Sequence, residues 1–123
     1  PLAKKEAIGP KDLWDKPLIL SRQHRAGSAL SMWLKREEAD LNIVATYSLL
    51  YNGSILVDEG LGYAITLDKI INTQGSNLCF RPLIPTLQAG LCVVWKKYQV
   101  LTKAAELFLN TLQSNLETAE SEA

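Results

Sequence analysis

Hydrophobic and polar positions follow the periods of strands and helices most clearly in the middle of the chain. Residues 42–46 are rich in β-forming side chains and predict a strand. Residues 48–59 carry leucine and valine at the spacing of a buried helical face, and Gly60 supplies the left-handed residue that commonly ends a helix. Gly62 allows a close turn, and residues 63–67 predict the next strand. A strand–helix–strand unit of this length is typical of a parallel sheet.

Further elements are predicted on both sides of this unit. A helix is predicted at residues 102–112, and Thr102 can cap its start. Its apolar residues share one face and are Ala105, Phe108, Leu109, Leu112 and Leu116. The other predicted elements are a short helix begun at Pro10, strands at residues 17–20, 78–83 and 89–97, a polar turn at 21–27, a helix at 28–38 and a helical turn at 68–72.

Together these elements predict an α/β fold with a mixed, mostly parallel sheet of roughly five strands and helices on both faces. The length of 123 residues allows one domain with a real core. Residues 113–123 are small and acidic, so we expect a frayed or disordered tail there.

Charge and cysteine usage narrow the classes of partner. Thirteen basic and thirteen acidic residues cancel without forming a basic stripe, which argues against a nucleic-acid-binding surface. No apolar run reaches the ~20 residues that a membrane-spanning helix needs. Cys79 and Cys92 lie in apolar runs, and with one histidine and no C-x-x-C motif we expect buried thiols rather than a disulfide or a metal site. This pattern favours a cytoplasmic, reducing location.

Polar residues cluster where predicted strands end, at Ser21 and Arg22, at Thr46, Tyr47 and Ser48, and at Thr66 and Leu67. The carboxyl ends of parallel strands meet at one rim, where helix N-termini expose free N–H groups that suit a carboxylate or phosphate. An arginine there adds a bidentate grip on such an anion. In the alternative interpretation the two serines only cap helices and the arginine is solvated, and spacing alone leaves both interpretations open.

Catalysis has little support in the sequence. His24 stands near serines, but no G-x-S-x-G motif or orienting acid accompanies it. Asp58 and Glu59 are adjacent on a predicted helix, so their side chains point apart and are unsuited to paired acid–base chemistry. We therefore expect neither an enzyme nor a cofactor or metal site.

Three segments carry a family resemblance that spans residues 1 to about 112. They read PLAKKEAIGPKDLWDKPLIL, VATYSLLYNGSILVDEGLGYAITL and LCFRPLIPTLQAGLCVVWKKYQVLTKAAELFLNTL. In order and spacing these segments resemble the effector-binding domain of LysR-type transcriptional regulators. Each motif is only moderately specific, and their combination makes the match.

The resemblance implies a fold and a site. Residues 1–112 would form the second lobe of a periplasmic-binding-protein-like (type 2) domain, with a return strand and a last helix that packs on the first lobe. Strands near residues 1–3 and 91–95 would cross the hinge. A small, anionic metabolite effector would bind between the lobes and contact Ser21, Arg22, Thr46, Tyr47, Ser48, Thr66 and Leu67.

The resemblance also implies partners. LysR-type effector domains pair side by side, so we expect a homodimer or a higher oligomer, in which residues 48–59 with 41–44 would meet the partner. DNA would be bound only through an N-terminal winged helix-turn-helix, which this sequence lacks, so we expect a fragment with weak effector affinity of its own. The alternatives are a periplasmic-type solute-binding protein, which needs an export signal, and a small α/β enzyme, which needs an acid–base or metal constellation.

Overall fold

A short parallel sheet organises the first part of the chain. The computed structural model describes residues 2–24 and 28–122, which fall into two compact units, Pro1–Gly90 and Leu91–Ala123. In the first unit the strands have the order β2-β1-β3, and both pairings are parallel. The strands are β1 (Leu18–Ser21), β2 (Ile43–Tyr47) and β3 (Tyr63–Ala64), and the helices of the unit are α1 (Ala29–Leu34) and α2 (Leu50–Asp58).

The strand–helix–strand unit expected in the middle of the chain is present. The backbone N–H groups of Gly60 and Leu61 donate to the carbonyls of Val57 and Leu56, and Gly60 has a φ of 79°. A left-handed residue followed by these two backbone hydrogen bonds is the Schellman motif, which satisfies carbonyl groups at the C-terminal end of α2. An added Cβ at Gly62 would lie 2.5 Å from the Pro17 carbonyl oxygen, so the close approach of β3 to β1 requires glycine there.

The core lies where β1 meets the surrounding segments. Leu18, Ile19 and Leu20 are almost fully buried, as expected for a central strand covered on both faces. Leu18 and Leu20 belong to one cluster with Leu34, whereas alternation along the strand points Ile19 to the opposite face. Helices therefore accompany both faces of the sheet, and the predicted α/β class is confirmed.

Helix α1 is shorter than the predicted helix at 28–38. Ser28 caps it by accepting a hydrogen bond from the Ser31 N–H, and Lys35, with a φ of 53°, ends it. The Leu34 carbonyl accepts a hydrogen bond from the Trp14 indole at 2.8 Å, so a tertiary contact replaces the next helical turn. The chain then forms a 3₁₀ turn at Glu38–Asp40 before β2. The predicted turn at 21–27 continues into residues 25–27, which lie outside the described residues.

Several predicted strands are absent from the described residues. Residues 78–83 contribute only an isolated bridge between Ile8 and Leu83, and residues 89–97 form no strand. The helical turn predicted at 68–72 is a non-helical turn at residues 68–69. A strand forms only where a neighbour accepts its hydrogen bonds, and β-forming composition does not supply that neighbour.

The expected hinge strand near residues 1–3 is instead a 3₁₀ turn at Leu2–Lys4, while Pro1 lies outside the described residues. The Arg81 guanidinium ties that turn to the bridge by donating to the Ala3 and Lys5 carbonyls.

The second unit contains one long helix, α3 (Lys103–Glu122). The Thr102 hydroxyl accepts a hydrogen bond from the Ala105 N–H at 3.2 Å, so the predicted cap is confirmed. The helix continues well beyond the predicted end at residue 112. Phe108 is 66 % exposed, and Leu116 is exposed as well, within this unit.

Both cysteines are exposed, whereas the sequence predicts buried thiols. Cys79 and Cys92 are free thiols with exposed side chains, because the segments that carry them do not form the buried strands that their apolar neighbours predicted. Within the part of the chain that the structure describes, no helix combines the length and hydropathy that crossing a bilayer requires.

Candidate functional site

The carboxyl ends of the strands are joined by hydrogen bonds that set the positions of the residues following them. The Arg22 N–H donates to the Tyr47 carbonyl at 2.8 Å, which aligns the turn after β1 with the end of β2. The Tyr47 hydroxyl donates to the Ile65 carbonyl at 2.9 Å, which ties the end of β2 to the segment after β3. These two hydrogen bonds connect the ends of all three strands at the rim of the sheet, where the polar residues lie.

A small cavity of about 200 Å³ opens beside β2, at one edge of the sheet. Five of its seven lining residues are polar and two are apolar. The lining residues are Leu20, Ser21, Arg22, His24, Glu38, Ile43 and Thr46. We call this cavity the β2-edge cavity. It unites three of the predicted site residues, because Ser21 and Thr46 belong to paired strands and Arg22 follows Ser21 directly.

Two charged side chains in the β2-edge cavity, those of Arg22 and Glu38, form no ion pair with any residue that the structure describes. The ion pairs in the described part of the chain are Lys5–Asp12 and Lys16–Asp15, and neither involves Arg22 or Glu38. An unpaired guanidinium beside two hydroxyl groups is suited to a carboxylate or phosphate, because all of these groups can donate hydrogen bonds to its oxygens.

His24 holds the turn that carries Arg22. Its ring nitrogens lie 3.1 Å from the Ser28 hydroxyl and 3.5 Å from the Ser31 hydroxyl. Both serines belong to the start of α1, so the imidazole connects the turn after β1 to that helix. The histidine has a serine hydroxyl as partner at each nitrogen, and no carboxylate of the described residues bonds to its ring.

A larger cavity of about 550 Å³ lies at the opposite edge of the sheet, beside β3. It is bounded by α2, by the segment after β3 and by residues 69–83, and much of its lining is apolar. Thr66 and Leu67 line this β3-edge cavity. The predicted site is therefore divided between two cavities, because β2 and β3 lie on opposite sides of β1.

Comparison with known proteins decides the family. A family model described as the LysR substrate binding domain matches residues 1–117. The chain belongs to the LysR substrate-binding domain family. It is accordingly a regulatory, effector-binding domain of a LysR-type transcription regulator, with the type 2 periplasmic-binding-protein-like fold. Comparisons with curated proteins and with solved structures gave no match.

This assignment confirms the family, fold and function that the motifs of the sequence predicted. LysR substrate-binding domains belong to regulators rather than to enzymes, and they bind small-molecule effectors. The periplasmic solute-binding and enzyme alternatives are not favoured.

Two predicted site residues of this LysR domain line neither cavity. Tyr47 is only 9 % exposed, and its ring packs beneath Gly53 of α2. Its hydroxyl is occupied by the Ile65 carbonyl, so its role in the rim is to hold two strand ends together. Ser48 is exposed between β2 and α2.

The capping roles considered as an alternative fall on other residues. Ser28, rather than Ser21, caps α1, and the Ser21 hydroxyl accepts a hydrogen bond from the Gln23 N–H at 3.2 Å. The N-cap of α2 is Leu49, whose side chain makes no capping bond, so Ser48 does not cap that helix either. Both serines keep hydroxyl groups at the rim of the sheet.

Two cavity residues were missed by sequence reasoning. His24 is not among the predicted site residues, although it lies two positions after Arg22 in the same turn. Glu38 is the last residue of the helix predicted at 28–38, and only the early end of α1 at Lys35 brings it to the β2-edge cavity. Within residues 2–24 and 28–122, no group of three or more potential ligands from His, Cys, Asp and Glu could hold a metal ion.

Proposed function

We propose that this LysR substrate-binding domain senses a small anionic metabolite at the carboxyl rim of its sheet. The effector carboxylate or phosphate binds in the β2-edge cavity, and the neighbouring strand ends complete the site. The residues proposed to form the site are Ser21, Arg22, Thr46, Tyr47, Ser48, Thr66 and Leu67. The observation that carries the proposal is the Arg22 guanidinium, which has no ion-pair partner among the described residues and shares one cavity with the Ser21 and Thr46 side chains.

The residues of this site have different roles in the proposal. Arg22 supplies charge, and the two hydroxyl groups supply additional hydrogen bonds to the same anion. Tyr47 acts through position, because its carbonyl holds the Arg22 backbone and its hydroxyl holds the segment that leads to Thr66. Thr66 and Leu67 line the β3-edge cavity, so they act on a small effector indirectly, through the segment after β3 that Tyr47 holds.

The test compares a small carboxylate with its neutral analogue. We expect 3-hydroxypropionate to shift the backbone amide NMR signals of the Arg22 turn, and 1,3-propanediol to leave them unchanged. Arg22→Gln should weaken the binding of 3-hydroxypropionate by about tenfold, since a charge-assisted hydrogen bond is lost.

Arg36→Gln is the matched control, because it removes the same charge from a residue that stacks on Trp14 away from the cavity. The proposal is wrong if Arg22→Gln binds 3-hydroxypropionate as tightly as the unmodified chain, or if the neutral diol binds equally well.

The partners of the domain are part of the proposal. Residues 1–112 act as the second lobe of the effector domain, and effector binding alters the arrangement of a homodimer. DNA is contacted through an N-terminal winged helix-turn-helix, in the cytoplasm, and the domain performs no catalysis. The absence of a basic excess in this chain supports the division between sensing and DNA binding.

An exposed apolar surface supports dimerisation. Leu49, Tyr51 and Ile55, in and just before α2, are exposed, and so is Val44 on β2. Strand β2 is also at an edge of the described sheet, where its outer hydrogen-bonding groups face no neighbouring strand. We name Val44, Leu49, Tyr51 and Ile55 the α2 surface, and we propose that it meets the partner subunit.

A further inference from the structure

The β2-edge cavity contains charges of both signs, which a site for a simple anion does not need. Arg22 comes from the turn after β1, whereas Glu38 comes from the 3₁₀ turn that precedes β2. The two side chains do not pair with each other or with another described residue. A carboxylate in the same cavity repels a simple anion, so Glu38 opposes the binding of any ligand that carries negative charge alone.

We propose that the effector is a small zwitterion of the α-amino-acid type, with its carboxylate on Arg22 and its ammonium group on Glu38. This inference rests on the proposed function and specifies the chemical class of its effector. The Ser21 and Thr46 hydroxyl groups donate to the carboxylate, and the Glu38 carboxylate accepts from the ammonium group. Each charge in the cavity is then compensated, which a purely anionic ligand cannot achieve.

The volume and the apolar lining of the β2-edge cavity limit the size and the side chain of the ligand. A volume of about 200 Å³ is below the ~300–1,000 Å³ of sites that hold drug-sized ligands. The apolar lining residues Leu20 and Ile43 suit a short apolar side chain on the ligand. The cavity therefore suits a small amino acid rather than a nucleotide or a large aromatic acid.

The hydrogen bonds of the His24 ring show that it is not a charged contact of the ligand. Both of its ring nitrogens are engaged by the Ser28 and Ser31 hydroxyl groups. It therefore does not serve as the partner of the ligand carboxylate or ammonium group, and Arg22 and Glu38 remain as the two charged contacts. Its bonds fix the turn that sets the position of Arg22.

The experiment compares three related molecules by amide NMR titration of the full chain. L-Serine carries both charges, 3-hydroxypropionate lacks the ammonium group, and ethanolamine lacks the carboxylate. We expect serine to bind about three- to tenfold more tightly than either analogue, a range suited to partly solvated ion pairs.

Two variants assign the preference to one side chain. Glu38→Gln should bring serine and 3-hydroxypropionate to equal affinity, mainly by weakening the binding of serine. Glu37→Gln is the matched control, because it removes the same charge from the neighbouring exposed residue that does not line the cavity, and it should keep the preference for serine.

The outcomes separate this inference from the proposed function. Equal binding of serine and 3-hydroxypropionate to the unmodified chain, or an unchanged preference in Glu38→Gln, would overturn the zwitterion while leaving an Arg22 anion site intact. If none of the three molecules binds, or if ethanolamine matches serine, the Arg22 site itself is wrong and both proposals fall.

Discussion

At the scale of single residues, Asp12 shows how a local contact controls a charge. Its carboxylate accepts hydrogen bonds from the Lys5 ammonium group at 2.6 Å and from the Gly9 N–H at 3.0 Å. These bonds favour the charged form and hold the pKa of Asp12 below its ordinary value of 3.8. The Lys5 hydrogen bond is the largest contribution.

The lowered pKa has a consequence for stability. Because the pKa of Asp12 is lower in the folded than in the unfolded chain, its stabilising contribution is present above pH 3.8 and is lost as the pH falls through the folded value. We expect Lys5→Met to raise the pKa of Asp12 back toward 3.8, as measured by carboxyl NMR titration.

Lys4→Met is the control for that substitution, since Lys4 neighbours Lys5 but makes no contact with Asp12. An Asp12 titration that is identical in the unmodified chain and in Lys5→Met would contradict the assignment.

At the scale of secondary-structure elements, the contact between α2 and β2 depends on one glycine. A Cβ added at Gly53 would lie 2.9 Å from Tyr47 Cδ1 and 3.1 Å from Tyr47 Cγ. The ring cannot move aside freely, because it is buried and its hydroxyl is bonded to Ile65. A glycine that costs helix propensity is therefore retained for close packing.

Gly53→Ala tests this packing. Overpacking of about 1–3 kcal/mol should exceed the ~1 kcal/mol that alanine gains in helix propensity, so we expect the free energy of unfolding in urea to fall. Asn52→Ala is the control in the same helix, where the side chain is exposed, and it should leave the free energy unchanged or slightly raise it. The interpretation fails if the two variants are equally stable.

Prediction of elements from the sequence succeeded where neighbours along the chain decide the structure. The Gly60 ending of α2, the Thr102 cap of α3 and the short helix begun at Pro10, which is a 3₁₀ helix of three residues, all depend on contacts within a few residues. Strands β1 and β2 differ from their predicted bounds by one residue at each end.

Prediction failed where contacts between segments far apart in the chain determine the structure. The expected strand at residues 89–97 has no pairing neighbour among the described residues, although its composition favours strands. Helix α1 ends early because Trp14, from a distant segment, occupies the Leu34 carbonyl. The exposure of Cys79 and Cys92 has the same origin, because burial requires partners that apolar composition alone does not specify.

At the scale of the whole molecule, the proposed dimer depends on the α2 surface. Tyr51 is 69 % exposed, and Ile55 lies one helical turn away on the same side of α2. We expect Tyr51→Glu to shift the chain toward monomer in sedimentation velocity experiments over a range of concentrations. The reason is that a charge at the centre of an apolar interface must be desolvated on association.

Met32→Glu is the matched control, because Met32 is equally exposed at 69 % but belongs to α1. It should leave the concentration dependence of the sedimentation coefficient unchanged. The α2 surface is not the interface if both variants weaken self-association to the same extent, or if Tyr51→Glu leaves it intact.

The candidate site was predictable only in part. Its chemistry followed from polar residues after strands, and Ser21, Arg22 and Thr46 do line one cavity. The division of the predicted residues between two edges did not follow, because strand order is set by pairing across the sheet. Glu38 could not be placed there either, since the position of the 3₁₀ turn depends on where α1 ends.

The sequence by itself determined the family, the parallel strand–helix–strand unit, the C-terminal end of α2 and the start of α3. These features depend on residue order, periodicity and hydrogen bonds between near neighbours. Only the tertiary structure decided which strand lies at the centre, that Tyr47 is a buried brace, and that Arg22 and Glu38 share a cavity. Such features arise from contacts between segments far apart in the chain, and their formation depends on the packing of the whole sheet.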